Sequence, residues 1–203
     1  MHLTFRRTRI VLCLLLAAVL ASAQDSELDR LVTRGHVTLE GQAHAYIVRH
    51  LPPSSFPDLP LAVAGELTER GCLIPQTYEA HRPENVIHGS FEKPGSSDWA
   101  VLCSVGGKVS LLVFFGASPS RQAVLATALE TDRLQPQVST GTLGFNWGID
   151  TASPDTVHEA QIGLSPRPPR LDHDSIADSV IDHLTTYRYF TRGTWTVANL
   201  PND

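Results

Sequence analysis

The chain has 203 residues, with 16 Lys and Arg against 21 Asp and Glu, and a formal charge of −5. Hydrophobic residues make up 42% of it, enough to build a core, so a disordered chain is excluded. Only two lysines occur, Lys93 and Lys108, and an acidic chain without a basic run is a poor ligand for nucleic acid or an anionic membrane.

The first 23 residues read as a secretory signal peptide. Arg6, Arg7 and Arg9 form a basic start, Ile10 to Leu20 is an uncharged apolar run, and Ala21-Ser22-Ala23 is a small-x-small cleavage site before Gln24. The apolar run is short for a membrane span, so no membrane anchor is expected after cleavage. Residues 24–203 are expected to form a single globular domain, secreted or periplasmic. Thirteen basic residues would then face 21 acidic ones, for a net charge of −8. An oxidising compartment favours pairing of the two remaining cysteines, Cys72 and Cys103. That bridge closes a loop of about 30 residues, worth about 3–4 kcal/mol in the chain-entropy account.

In chain order, residues 24–35 suggest a short helix. His36 to Leu51 is rich in β-branched and aromatic residues and suggests a hairpin broken at Gly41-Gln42. PPSSFPDLP (52–60) reads as a loop. Asp58 to Gly71 is a predicted helix, with Asp58 as N-cap, Pro60 in the first turn, a Leu59/Val63/Leu67 stripe, Arg70 near the end, and Gly71 suited to the left-handed position beyond it. Val86 to Phe91, Asp98 to Val105 and Lys108 to Phe115 predict a β-meander, turning at residues 93–97 and at Gly106-Gly107. Ser120 to Leu134 fits helix or strand, with strand preferred because a meander is already running. Gly141 to Ile149 reads as a strand or bulged loop and SPRPPR (165–170) as a connector. Asp172 to Leu184 predicts a helix from its Ile176/Ala177/Val180/Ile181/Leu184 face. Thr185 to Val197 predicts a hairpin turning at Arg192-Gly193. The expected class is α+β: an antiparallel β-sheet or meander with one or two packed helices and one disulfide.

The stretch GSFEKPGSSDWAVLCS resembles an FG-GAP/VCBS-like segment, with its G-x-F, loop, Asp and apolar strand. Acidic residues of that loop often bind calcium in those families. Here Lys93 and Pro94 replace the Asp ladder between Glu92 and Asp98, so the resemblance implies a strand–turn–strand element rather than a calcium site. LDHDSIAD followed by an aromatic hairpin ending in G-x-W is similar to C-terminal segments of uncharacterised secreted bacterial proteins. That resemblance implies secretion and β-structure, not chemistry.

Candidate chemistry is sparse. Asp172, His173, Asp174, Asp178, Asp182 and His183 are the densest set of metal-ligand types, and on a helix Asp174, Asp178 and Asp182 would share an edge. Such a cluster would suit a divalent metal and a metal-assisted secreted hydrolase; the competing reading is the solvated face of an amphipathic helix. HRPENVIH (81–88) brings His81, Arg82, Glu84 and His88 near the meander, as a polar pocket or an acid–base pair, with a satisfied loop network as the preferred reading. His158-Glu159 begins H-E-x-x-H but Ile162 ends the match, and Ser104 and Ser118 lack a nucleophile motif. Trp99, Trp147, Tyr187, Tyr189 and Trp195 could stack on a sugar or peptide, or pack in the core. With no local catalytic motif and no cofactor signature, the preferred expectation is a non-enzymatic binding or interaction protein, whose partner is an extracytoplasmic protein or glycan.

Overall fold

A computed structural model of the chain describes residues 31–137 and 140–201. The signal-peptide segment and residues 24–30 of the expected first helix lie outside the described residues. Strands hold 47% of the structure and helices 15%, so the fold is sheet-dominated rather than evenly α+β.

Three sheets make up the fold. The first contains β1 (Val32–Leu39), β2 (Gln42–Leu51), β3 (Ile74–Gln76), β8 (Leu134–Pro136) and β9 (Leu143–Phe145), with β3 paired to β2. The second runs β4 (Val86–Gly89), β5 (Asp98–Val105), β6 (Lys108–Phe114) and β7 (Gln122–Leu129). The third runs β10 (Trp147–Ala152), β11 (Ser175–Val180), β12 (Leu184–Thr191) and β13 (Thr194–Val197). All pairs are antiparallel except β2–β9, where Tyr46 and Ile47 lie beside Leu143 and Gly144 in parallel. Two α-helices occur among the described residues, α1 (Leu61–Glu69) and α2 (Pro154–Ala160).

Three hairpins turn on two residues with positive φ: Glu40-Gly41 (50° and 80°), Gly106-Gly107 (59° and 79°) and Arg192-Gly193 (51° and 81°). Positive φ at both central positions matches the right-handed twist of the flanking strands. The first turn therefore falls one residue before the expected Gly41-Gln42, and β1 begins at Val32, inside the stretch expected to be helical.

The β5–β6 pair is buried on both faces, and its period of two decides which residue goes where. Ala100, Leu102, Val109, Leu111 and Val113 pack with Val48, Phe145, Trp147, Ile149 and Ile176 of the other two sheets. Val101, Cys103, Leu112 and Phe114 pack the opposite way, against Leu59, Val63 and Leu67 of the α1 segment. The expected α1 stripe is thus the buried one, and each such side chain contributes about 1.5–3 kcal/mol. The helix starts later than expected: its N-cap is Pro60, not Asp58. Gly71 takes the left-handed conformation at φ 69°. Cys72 follows and is bridged to Cys103 of β5, with Cα atoms 5.4 Å apart.

The largest departure from expectation is residues 172–184. They form the loop before β11, β11 itself and its turn, not a helix. β11 is central in its sheet, pairing with β10 along one edge and β12 along the other. Ser175, Ile176, Ala177 and Asp178 are all buried. A strand covered on both faces loses the buried/exposed alternation, and the apolar residues Ile176, Ala177 and Val180 also satisfy a helical period. The helix α2 was not anticipated, although Ser153 caps it through Thr156 N at 3.2 Å and Pro154 opens its first turn.

Candidate functional site

The six residues proposed as metal ligands are dispersed by the strand. Asp172 pairs with the His173 ring at 2.6 Å. Asp174 accepts the Ser90 amide at 3.0 Å. Asp178 accepts Trp147 Nε1 at 2.6 Å through one oxygen and Arg188 Nε at 2.7 Å through the other. Asp182, at φ 60° in the β11–β12 turn, accepts the Tyr78 hydroxyl at 3.1 Å. Loss of solvent around that phenol, then the hydrogen bond and charge of Asp182, push the Tyr78 pKa to about 12. His183 is exposed beside it. Among the described residues, no three His, Cys, Asp or Glu side chains stand together in a way that could hold a metal ion. The shared helical edge behind the metal-assisted hydrolase reading is therefore absent.

The five aromatics also separate. Trp147 is fully buried, hydrogen-bonded to Asp178, with the Arg133 guanidinium carbon 4.4 Å from its ring centre. Trp195 packs on Phe115 and Phe190, at centroid distances of 6.2 and 5.6 Å. Tyr187 and Tyr189 cover a small cluster of Ala152, Val157, Ala177 and Ala198. These four serve packing. Tyr189 also touches a cavity of about 530 Å³ beside Arg170 and Asp172.

Trp99 stands apart. It faces the α1 side of β5, where it lines a cavity of about 550 Å³ with Phe56, Asp58, Pro83, Val86 and His88. The β4–β5 register places His88 opposite Trp99. Their rings are 4.8 Å apart and tilted by 44°. The His88 ring is fixed in turn by Ser97 Oγ, 2.9 Å from Nε2.

The opposite wall comes from the proline-rich loop. Pro53–Ser55 form a 3-10 turn, closed by Ser55 N to Pro52 O at 3.0 Å and Phe56 N to Pro53 O at 3.1 Å. Leu59 N then bonds Phe56 O at 3.1 Å, and Leu59 drops into the core. The prolines fix φ along this loop, so Phe56 is presented with little loss of freedom on binding. Asp58, freed from the capping role expected of it, is exposed on this wall. The cavity thus combines two aromatic rings with a carboxylate and an imidazole. It can stack a ring and donate or accept hydrogen bonds around it.

The loop resembling FG-GAP segments closes on Asp98, which is fully buried. Its carboxylate accepts from Glu92 N at 2.8 Å, Ser96 Oγ at 2.5 Å and Gly116 N at 2.8 Å. Those protein donors tie the turn that carries Ser97.

HRPENVIH divides around Pro83. His88 belongs to the aromatic cavity, while His81 and Arg82 line another on the far side of Pro83. Glu84 turns back to accept Thr77 N at 2.8 Å. The sequence reading missed Phe56, Asp58 and Pro83 as wall residues, although an aromatic flanked by prolines in PPSSFPDLP was an available signal. No helix among the described residues is long and apolar enough to cross a membrane. No family model, curated protein or solved structure matches the chain.

Proposed function

We propose that the chain is an exported, non-enzymatic binding protein whose cavity beside Trp99 receives a sugar ring of an extracytoplasmic glycan. The observation that supports this is Trp99 itself. It is half-buried, braced by His88 on the paired strand, and shares its cavity with Phe56 and the Asp58 carboxylate. A volume of about 550 Å³ suits one or two sugar units, and falls within the usual range for ligand sites. Apolar C–H faces of a sugar stack on indole, and Asp58 and His88 can take its hydroxyls. Export and the disulfide fit the same setting.

Tryptophan fluorescence on titration with a panel of glycan oligosaccharides tests the reading. A saturable change is expected, weakened at least severalfold in Asp58→Asn; in Trp99→Phe, which lacks the fluorescent reporter, binding is read by titration calorimetry and should be lost. Trp147 and Trp195 serve as internal controls, because both lie in packed surroundings. No saturable response to any glycan, with capture of a protein partner that Trp99→Phe abolishes, would move the ligand to the protein class. Retention of binding in Trp99→Phe would refute the site.

A further inference from the structure

A second cavity, of about 330 Å³, adjoins the first across Pro83, which lines both. Its walls hold Arg49, His50, His81, Arg82 and the Gln76 amide, and no acidic residue among the described residues. A neighbouring cavity of similar volume shares Arg49, Gln76 and His81, and among the described residues its wall likewise contains no Asp or Glu. In a chain with more acids than bases, this is a local reversal of charge.

The geometry points to an oxyanion site here, for a carboxylate, sulfate or phosphate group of a ligand. Three observations carry it. First, Arg49 is held in place by Nη2, which donates to Thr77 O at 3.3 Å and Ala80 O at 3.0 Å. Among the described residues those are its hydrogen bonds, and both come from one nitrogen. Nε and Nη1 can still present a planar, always-charged donor edge. Second, the nearby carboxylates do not line the cavity. Glu84 is taken by Thr77 N, and Glu130 sits behind His50, accepting from Nε2 at 2.8 Å and from Ser104 Oγ. Asp150 lies within the field of both Arg82 and Glu84, outside the cavity wall. Third, His50 is 4% exposed, and its Nδ1 is buried without a hydrogen-bond partner among the described residues. Buried polar atoms are ordinarily paired; with Nε2–H donated to Glu130, Nδ1 is left as an acceptor, which a water or ligand hydroxyl bound beside the anion would satisfy. Arg82 and His81 are exposed at the rim, where they can close on an anion once it enters.

This site does not depend on the glycan reading, and its test keeps the two apart. The mature chain is titrated with inorganic phosphate, sulfate and acetate at constant ionic strength, with chloride as reference. Heat of binding and histidine chemical shifts are recorded. Saturable binding of at least one oxyanion is expected, with shifts at His50 and His81. Arg49→Gln should weaken it about tenfold, the usual effect of losing one charge-assisted hydrogen bond. Arg82→Gln, an exposed change that spares the fold, should also weaken it severalfold, whereas Trp99→Phe should leave it unchanged. Preference for acetate identifies a carboxylate-bearing ligand, and preference for phosphate or sulfate a tetrahedral one. No saturable binding, or equal binding by the wild type and Arg82→Gln, overturns the assignment.

Discussion

Glu130 and His50 lie eighty residues apart in the chain, and their side chains meet at 2.8 Å in the interior. Ser104 joins the same carboxylate oxygen, and all three residues are at most 5% exposed. The contact ties the end of β7 to β2 and β5. Burial alone would raise the Glu130 pKa, but hydrogen bonds from His50 and Ser104 outweigh it and hold the carboxyl below its ordinary value. A depressed folded-state value means the carboxylate contributes stability above its unfolded pKa. That contribution is lost as pH falls through the folded value. Denaturant midpoints should therefore fall on acidification below about pH 4.5. In Glu130→Gln this slope should flatten, and the protein should lose about 2–3 kcal/mol at neutral pH. An unchanged acid slope in the variant would show that other carboxyls govern the transition.

Asp178 should rank among the most sensitive single positions of the third sheet. Its two oxygens satisfy Trp147 Nε1 and Arg188 Nε, and Trp147 is the largest fully buried side chain. Asp178→Ala strands an indole N–H and a partly buried guanidinium, at a cost of about 3 kcal/mol or more. Asp182→Ala removes an exposed bond to Tyr78 and should cost under about 1 kcal/mol. Urea denaturation of the two variants separates them, and equal losses would contradict the geometry.

Chelation should leave the melting temperature of the protein unchanged. Asp174, Asp178 and Asp182 each accept hydrogen bonds from different partners in different places. A stoichiometric metal in protein purified without chelator, with a melting point lowered by EDTA, would reverse this expectation and restore the hydrolase reading.

Removal of the Cys72–Cys103 bridge should destabilise the chain by about 3–4 kcal/mol, the chain-entropy estimate for a separation of 31 residues. Both cysteines are buried between α1 and the β5–β6 sheet, so a Cys72→Ala/Cys103→Ala double variant should fold with a lower denaturant midpoint. An unchanged midpoint would show that burial, not the bridge, holds the helix end.

Local chemistry was legible, and long-range pairing was not. Gly106-Gly107 between two apolar runs named its hairpin, Arg192-Gly193 named another, and the Leu59/Val63/Leu67 stripe found the buried face of α1. Each signal lies within a few residues of what it specifies. Residues 172–184 misled because β11 acquires its identity from β10 and β12, and the apolar residues of a doubly covered strand satisfy both periods. The parallel β2–β9 pair joins segments almost a hundred residues apart, with no turn to announce it. Of the candidate site, Trp99 and His88 were visible as residue types. Phe56 and Asp58 were not, because a proline-rich loop reads as a connector until the wall it faces is known. The meeting of Arg49 with Arg82 likewise needs β2 and the loop after β3 in place.

The bridge has a topological consequence as well. The exposed turn at residues 93–97 lies inside the ring of chain that Cys72 and Cys103 close. A protease that cuts there produces two polypeptides that remain one covalent molecule, separating on a gel only after reduction. The wall of the Trp99 cavity is assembled from both sides of that cut, Phe56 and His88 before it and Trp99 after, so a nicked molecule keeps its cavity walls covalently joined.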